Sequence, residues 1–246
     1  FMKFLVCITQ VPDTTTKINF TPDKKALNAA GVQFIINPYD EIALTRALEI
    51  KEAAGGTVTV INVGLPATEA NIRKALAIGA DDAIRINADP TDAYFVASQI
   101  AEVAKKNSYD VILTGKEAID FNGGQVPTML AEFLNISSVS VATKLDINGT
   151  VATLEREIDG GKEVVETSLP FVAGAQKGMA EPRIPNMRGI MTARTKPLTV
   201  LEPTTTETLS SSTTFELPAA KGECKMIDPN NVAELVNLLH TEAKVI

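Results

Sequence analysis

The sequence predicts an α/β fold: a mostly parallel sheet with helices on both faces, an added antiparallel hairpin and a C-terminal arm. Two observations carry this. Apolar, β-branched runs alternate four times with stretches of helical period, the pattern of successive β–α units. After residue 140 the pattern changes to β-rich runs flanking Asp159-Gly160-Gly161, which is a hairpin signal.

KFLVCIT (3–9) is an unbroken apolar run, as expected of a strand covered on both faces. PDTTTKINFTPDKK (12–25) reads as a loop, and VQFIIN (32–37) as a short extended piece. Pro38 starts a helix over 39–54, which Gly55-Gly56 ends. TVTVINVG (57–64) is the second buried strand. The next helix starts at Pro66, buries Ile72, Ala75, Leu76 and Ile78, and stops at Gly79. DDAIRIN (81–87) is the third strand, with Asp81 and Asp82 read as solvated. A helix over 91–106 takes Thr91 as its N-cap. YDVILTG (109–115) is the fourth strand, and a helix over 125–134 follows its loop.

The stretch 148–175 adds antiparallel strands. Residues 176–200 hold prolines and basic residues without a period and read as a long exposed segment. The Ser/Thr-rich run 203–214 reads as a linker. A last helix over 228–244 takes Asp228 as N-cap and Pro229 as its first residue, with Val232, Leu235, Val236 and Leu239 in one stripe. It is either an arm that packs at a distance or a helix folded onto its own domain. The division is therefore an α/β domain over 1–200 and a linker with a helical arm over 201–246. Phe1 precedes Met2, and Met2 reads as the native start.

Composition narrows the function. The 246 residues are 45% hydrophobic, enough to bury a core. The net charge of −7 and pI near 4.9 offer no basic stripe for nucleic acid. Two cysteines, Cys7 and Cys224, make no disulfide framework and fit a reducing compartment, which is the cytoplasm for a bacterial source and the mitochondrial matrix for a eukaryotic one. No stretch is apolar for long enough to insert in a membrane, and no transit or signal peptide is seen. The single histidine, His240, has no partner for a zinc site or a catalytic pair, so neither a metal ligand nor a catalytic residue is assigned. Walker A and G-x-G-x-x-G patterns are absent.

Ligands in open α/β sheets sit outside the carboxyl ends of the strands. Gln10 to Pro12, Val63-Gly64 and Gly115 to Gly124 fall there. In the last loop Gly123-Gly124 precedes a helix N-terminus, a place where backbone N–H groups can approach a phosphate. The loop is either a nucleotide site or an ordinary β–α turn. The 176–200 segment is either a surface loop or a docking element, since Met187 and Ile190 lie among Arg183, Arg188 and Arg194.

Several segments together resemble the β subunit of electron transfer flavoproteins: REIDGGKEVVETSLPFV (156–172), NPYDEIAL (37–44), LAIGADDAIRI (76–86), LTGKEAID (113–120) and EPRIPNMRGIMTARTKP (181–197). The resemblance covers the chain from Met2. It implies an adenine-nucleotide α-hydrolase-like, Rossmann-like sheet in a heterodimer whose α subunit holds most of a redox FAD. It implies a carrier without catalytic residues, taking electrons from flavin dehydrogenases, such as acyl-CoA dehydrogenases, to a quinone oxidoreductase or another acceptor. It implies AMP in the β-subunit crevice, or a second FAD in relatives that bifurcate electrons using NADH. Ignoring the resemblance leaves a stand-alone adenine-nucleotide-binding module.

By resemblance, cofactor contacts fall on Cys7, Asn37, Pro38, Tyr39, Asp40, Val63, Gly115, Lys116, Asp120, Asn122, Gly123, Gly124, Gln125 and Val126, with Tyr39 facing the flavin ring. Partner docking falls on Arg183, Met187, Arg188 and Ile190, with Met187 at the tip. The loop departs from the family run after Asp120. Phe121 adds bulk, Val126 offers no hydroxyl, and Pro127 removes a backbone N–H.

Overall fold

A computed structural model describes all residues, 1–246. In chain order the elements are β1 (Met2–Cys7), β2 (Gln10–Pro12), β3 (Phe34–Ile36), α1 (Pro38–Ala54), β4 (Gly56–Val63), α2 (Glu69–Ile78), β5 (Asp82–Ile86), α3 (Ala93–Asn107), β6 (Val111–Gly115) and α4 (Val126–Leu134). Then come β7 (Ser137–Asn148), β8 (Val151–Ile158), β9 (Gly161–Ser168), β10 (Phe171–Ala175), α5 (Met187–Ala193), β11 (Leu198–Leu201) and α6 (Val232–Leu238). Nine strands form one sheet in the order β11-β5-β4-β1-β6-β10-β7-β8-β9. Only β7–β8 and β8–β9 pair antiparallel; the other six pairings are parallel. The α/β reading therefore holds, hairpin included. The short strands β2 and β3 pair antiparallel as a separate sheet.

Period-two alternation divides the core. Phe4 and Val6 of β1, with Val58 and Val60 of β4, face Leu44 and Leu48 of α1 and Ile72 and Leu76 of α2. Leu5, Ile61 and Ile112 face the other way, against Ile100 of α3 and Leu130 of α4. Each fully buried Leu, Ile or Phe contributes roughly 1.5–3 kcal/mol.

The structure corrects the sequence reading at several places. Ser137–Asn148 is a twelve-residue strand, and the hairpin reading began only at its last residue. The segment 176–200 is not featureless. Asn186 caps α5 by accepting from Gly189 N, and β11 pairs parallel with β5. Arg73 donates to the carbonyls of Ala193 and Lys196, which fastens both pieces to α2. Asp92, not Thr91, caps α3, because its Oδ1 accepts from Phe95 N at 2.7 Å. Asn231, not Asp228, caps the last helix. Asp228 is spent on a turn, accepting from Asn230 N, while Asn231 and Glu234 bond reciprocally. Asp81 is not simply solvated: it accepts from Lys51 Nζ at 2.6 Å and Val58 N at 2.8 Å. No helix is long and apolar enough to cross a membrane.

Gly189 sets how closely α5 lies on α2. A Cβ there would stand 2.2 Å from the carbonyl oxygen of Ala77. Gly189→Ala is expected to lift α5, destabilising the chain by about 1–3 kcal/mol, the usual range for overpacking. Thermal denaturation, with hydrogen exchange over 187–201, checks this.

Candidate functional site

Two buried polar side chains organise the carboxyl edge of the sheet. Asn37 and Asp40 open α1, and each is under 5% exposed. At an N-cap, Asn usually accepts from the helix's own N–H groups. Asn37 does not. Its Nδ2 donates to Glu117 O at 2.8 Å and to Asp40 Oδ1 at 3.0 Å, and its Oδ1 accepts from Ile119 N at 3.3 Å. The side chain thus ties the loop after β6 to the start of α1.

Asp40 completes the tie. Oδ1 also accepts from Gly115 N at 2.8 Å, and Oδ2 from Thr9 N at 2.7 Å. One carboxyl thereby holds the ends of β1 and β6 against α1. Burial raises its pKa to about 7, and the donors from Asn37, Thr9 and Gly115 work against that rise. Beside it the Cys7 thiol is pushed far up, first by burial and then by Asp40, so it is an inert packing group. Gly115 is required by close approach: a Cβ would lie 2.4 Å from Asp40 Oδ1. Lys116 stands 5.0 Å over the half-buried Tyr39 ring and pairs with Glu117 at 3.1 Å.

The remaining loop residues lie elsewhere. Asp120, Asn122, Gly123, Gly124 and Gln125 are exposed. Gly123 N donates to Ala118 O, so this N–H is not free for a phosphate. Val126 and Pro127 open α4; the first-turn N–H groups of Val126 and Thr128 have no intrahelical partner, and Pro127 between them supplies none. Val63 is buried at the end of β4. Pro38 begins α1.

Asn62, next to Val63, is a residue the sequence reading passed over. Its Nδ2 donates to Ile8 O at 2.9 Å, but its buried Oδ1 has no donor. A buried acceptor without a partner costs about 1–3 kcal/mol. It lies where the ends of β1 and β4 meet, and an N–H or O–H of a nucleoside would satisfy it. The signal was present as the one amide within the run TVTVINV. This edge of the sheet therefore offers one unpartnered acceptor, Asn62 Oδ1, while the Gly123 N–H is already spent within its own loop. A separate depression of about 580 Å³ lies outside it, between α3 and α4 and lined by Tyr94, Glu102, Phe133 and Thr205 among others.

The docking residues sit away from the crevice, on and before α5. Met187 is 74% exposed, with Ile184, Ile190 and Met191 exposed beside it. Arg188 and Arg194 are exposed, whereas Arg183 is committed internally, bidentate to Glu52 at 2.6 and 2.8 Å.

The family model described as "Electron transfer flavoprotein domain" matches residues 25–206. The electron transfer flavoprotein subunit beta of Bacillus subtilis is 40% identical, with all of both chains covered. That of Syntrophomonas wolfei is 40% identical over 89% of this chain and 87% of its own. The human protein of the same name is 34% identical over 82% of each. The chain belongs to the electron transfer flavoprotein β-subunit family. Within an electron transfer flavoprotein the Asn37–Asp40 cluster reads as architecture, since no nucleophile–base pair stands near it. No group of three or more His, Cys, Asp or Glu side chains is placed to hold a metal ion.

A raised carboxyl pKa has a defined sign. The folded chain keeps a proton on Asp40 that the unfolded chain releases near the ordinary value of 3.8. The stability this supplies is full below about pH 4 and is lost as pH rises through about 7. Asp40→Asn removes the titration and leaves a backbone donor short of an acceptor, at a cost of about 2 kcal/mol. Urea denaturation at pH 5 and pH 8 should show the gap between wild type and variant narrowing at the higher pH.

Proposed function

We propose that this chain is the β subunit of a heterodimeric electron transfer flavoprotein. It carries no reaction of its own. It supplies one wall of a FAD site held mainly by an α subunit, and the complex shuttles electrons from flavin dehydrogenases to a quinone oxidoreductase or another acceptor. The observation that supports this best is the tip of α5. Met187, Ile190 and Met191 are exposed on a short helix that the rest of the chain pins in place, and Ile184 is exposed just before it. A rigid apolar tip ringed by Arg188 and Arg194 suits an anchor for an acidic flavoenzyme surface. Met is unbranched and polarizable, so it adapts to differing pockets.

The α subunit is assigned to a second exposed stripe. Val232, Leu235 and Val236 of α6 are 61, 42 and 50% exposed and cover nothing on this chain. Such a stripe on a helix is usually buried against a partner. Tyr39, half-buried at the crevice, offers an aromatic face toward the flavin. The crevice holds the nucleoside part of an adenine nucleotide, with Asn62 as acceptor. The chain acts in the cytoplasm if its source is a bacterium and in the mitochondrial matrix if its source is a eukaryote.

Co-expression with an electron transfer flavoprotein α subunit from the same source should yield a stable heterodimer containing one FAD. Two flavins per heterodimer would instead indicate the bifurcating class, and a self-sufficient homodimer with bound ATP a stand-alone module. In the heterodimer, Met187→Ala should slow reduction by the dehydrogenase at least about tenfold, since a buried interface anchor is worth about 2 kcal/mol. FAD content should not change. Stopped-flow flavin bleaching measures the first, and the visible spectrum the second.

A further inference from the structure

The linker between β11 and α6 does not hang free. Thr204 N donates to Gln99 Oε1 at 2.8 Å, and Gln99 Nε2 donates to Thr204 O at 2.9 Å. Ser98 and Gln99 both bond the hydroxyl of Thr206. At the start of α3, Asp92 works in two directions. Oδ1 caps the helix, while Oδ2 accepts from Leu209 N at 2.6 Å and Ser210 N at 2.8 Å. Burial works against the charged form of Asp92, but the donors from Phe95, Ser210 and Leu209 outweigh it and hold the carboxyl below its usual range.

The second anchor lies on the opposite side of the crevice. Phe215 N donates to Lys24 O at 2.8 Å, and Lys24 Nζ pairs with Glu216 at 3.1 Å. The Phe215 ring stacks on Phe20 with centroids 5.2 Å apart, and Phe121 stands 6.2 Å away at a tilt. Phe20 belongs to the loop between β2 and β3, and Phe121 to the loop after β6. Between the anchors, residues 211–214 are exposed and make no hydrogen bond to the domain.

Strand order shows what this segment crosses. Asp92 follows β5, and Phe121 follows β6. The ends of β4 and β1 lie between them. Three strand spacings amount to about 14 Å. Five residues from Ser210 to Phe215 reach at most about 17 Å. The segment is long enough to bridge that spacing with little slack, and strand order puts the carboxyl ends of β4 and β1, with Asn62 and the Thr9 N–H that Asp40 accepts, between its two anchors. Phe121, which looked like misplaced bulk in a phosphate loop, is one jaw of the far anchor.

We infer that residues 204–216 form a strap across the crevice, latched by Phe215 between Phe20 and Phe121, and that exchange of a nucleotide in the crevice requires the latch to open. This rests on the nucleotide reading of the crevice. The strap also leads into α6, so the segment that gates the crevice is the one proposed to reach the α subunit.

The test uses the heterodimer and a fluorescent adenine nucleotide, N-methylanthraniloyl-AMP, followed by stopped-flow. A gate that closes equally over the empty and filled crevice alters both rates and leaves affinity alone. With Phe215→Ala, association and dissociation should both quicken about tenfold, as the loss of two aromatic contacts allows, with Kd within about twofold. Unchanged rates would overturn the strap. So would a faster dissociation alone, which marks a direct ligand contact. If the wild-type heterodimer binds no adenine nucleotide, the nucleotide reading fails. The strap is then judged by hydrogen exchange at Leu209, Ser210 and Phe215. Slow exchange in wild type that becomes fast in Phe215→Ala supports a latched strap, and fast exchange in wild type removes it.

Discussion

The buried bond set of Asn37 and Asp40 is the constraint on which the rest of the carboxyl edge depends. Parallel strands end where their connections begin, so nothing in the sheet itself fixes one loop against another. Here a single carboxyl accepts from Thr9 N after β1, from Gly115 N at the end of β6 and from the neighbouring amide. The amide in turn grips Glu117 and Ile119. Burying a carboxyl without such donors would cost several kcal/mol. With them, it becomes a fixed reference point for the crevice, Tyr39 and Lys116.

Much of this was legible beforehand. The alternation of apolar runs and helical stretches identified β1, β4, β5 and β6 and their helices, because two-sided burial leaves a strong signature. Asn37-Pro38 marked a helix start, the position of Gly115 after the fourth strand pointed to the carboxyl edge of the sheet, and the family resemblance added Asn37 and Asp40 to it. What was not legible has physical reasons. β7 is only partly buried, so its apolar positions alternate with Ser, Thr and Lys and give no unbroken apolar run that would mark a strand before residue 148. β11 is four residues long and is defined by its pairing with β5, which no local pattern records. Caps slipped by one and three residues where two candidates stood close together, Thr91 beside Asp92 and Asp228 before Asn231, and hydrogen-bond geometry chose between them. The loss of the Gly123 N–H to a turn within its own loop was invisible for the same reason.

The fold keeps its surfaces apart. The crevice opens at the carboxyl edge between β1, β4 and β6. The apolar tip of α5 lies on the α2 side, and the unpaired stripe of α6 follows the long segment that begins after β11. On the proposed reading the chain meets more than one partner, and separate surfaces would let one contact persist while another exchanges. Arg183 illustrates the division of labour: its bidentate pairing with Glu52 stiffens the approach to α5, leaving Arg188 and Arg194 to present charge.

The pairing of β11 with β5 has a consequence for biogenesis. β5 is complete at Ile86, but the strand that covers its outer edge ends at Leu201. During synthesis the ribosome must deliver more than a hundred further residues before this edge of the nascent sheet is sealed. An open strand edge is a template for wrong pairing, and a contact of such sequence separation closes late. The vulnerable interval of this protein's life is therefore its own translation, and its stop is the arrival of a four-residue strand.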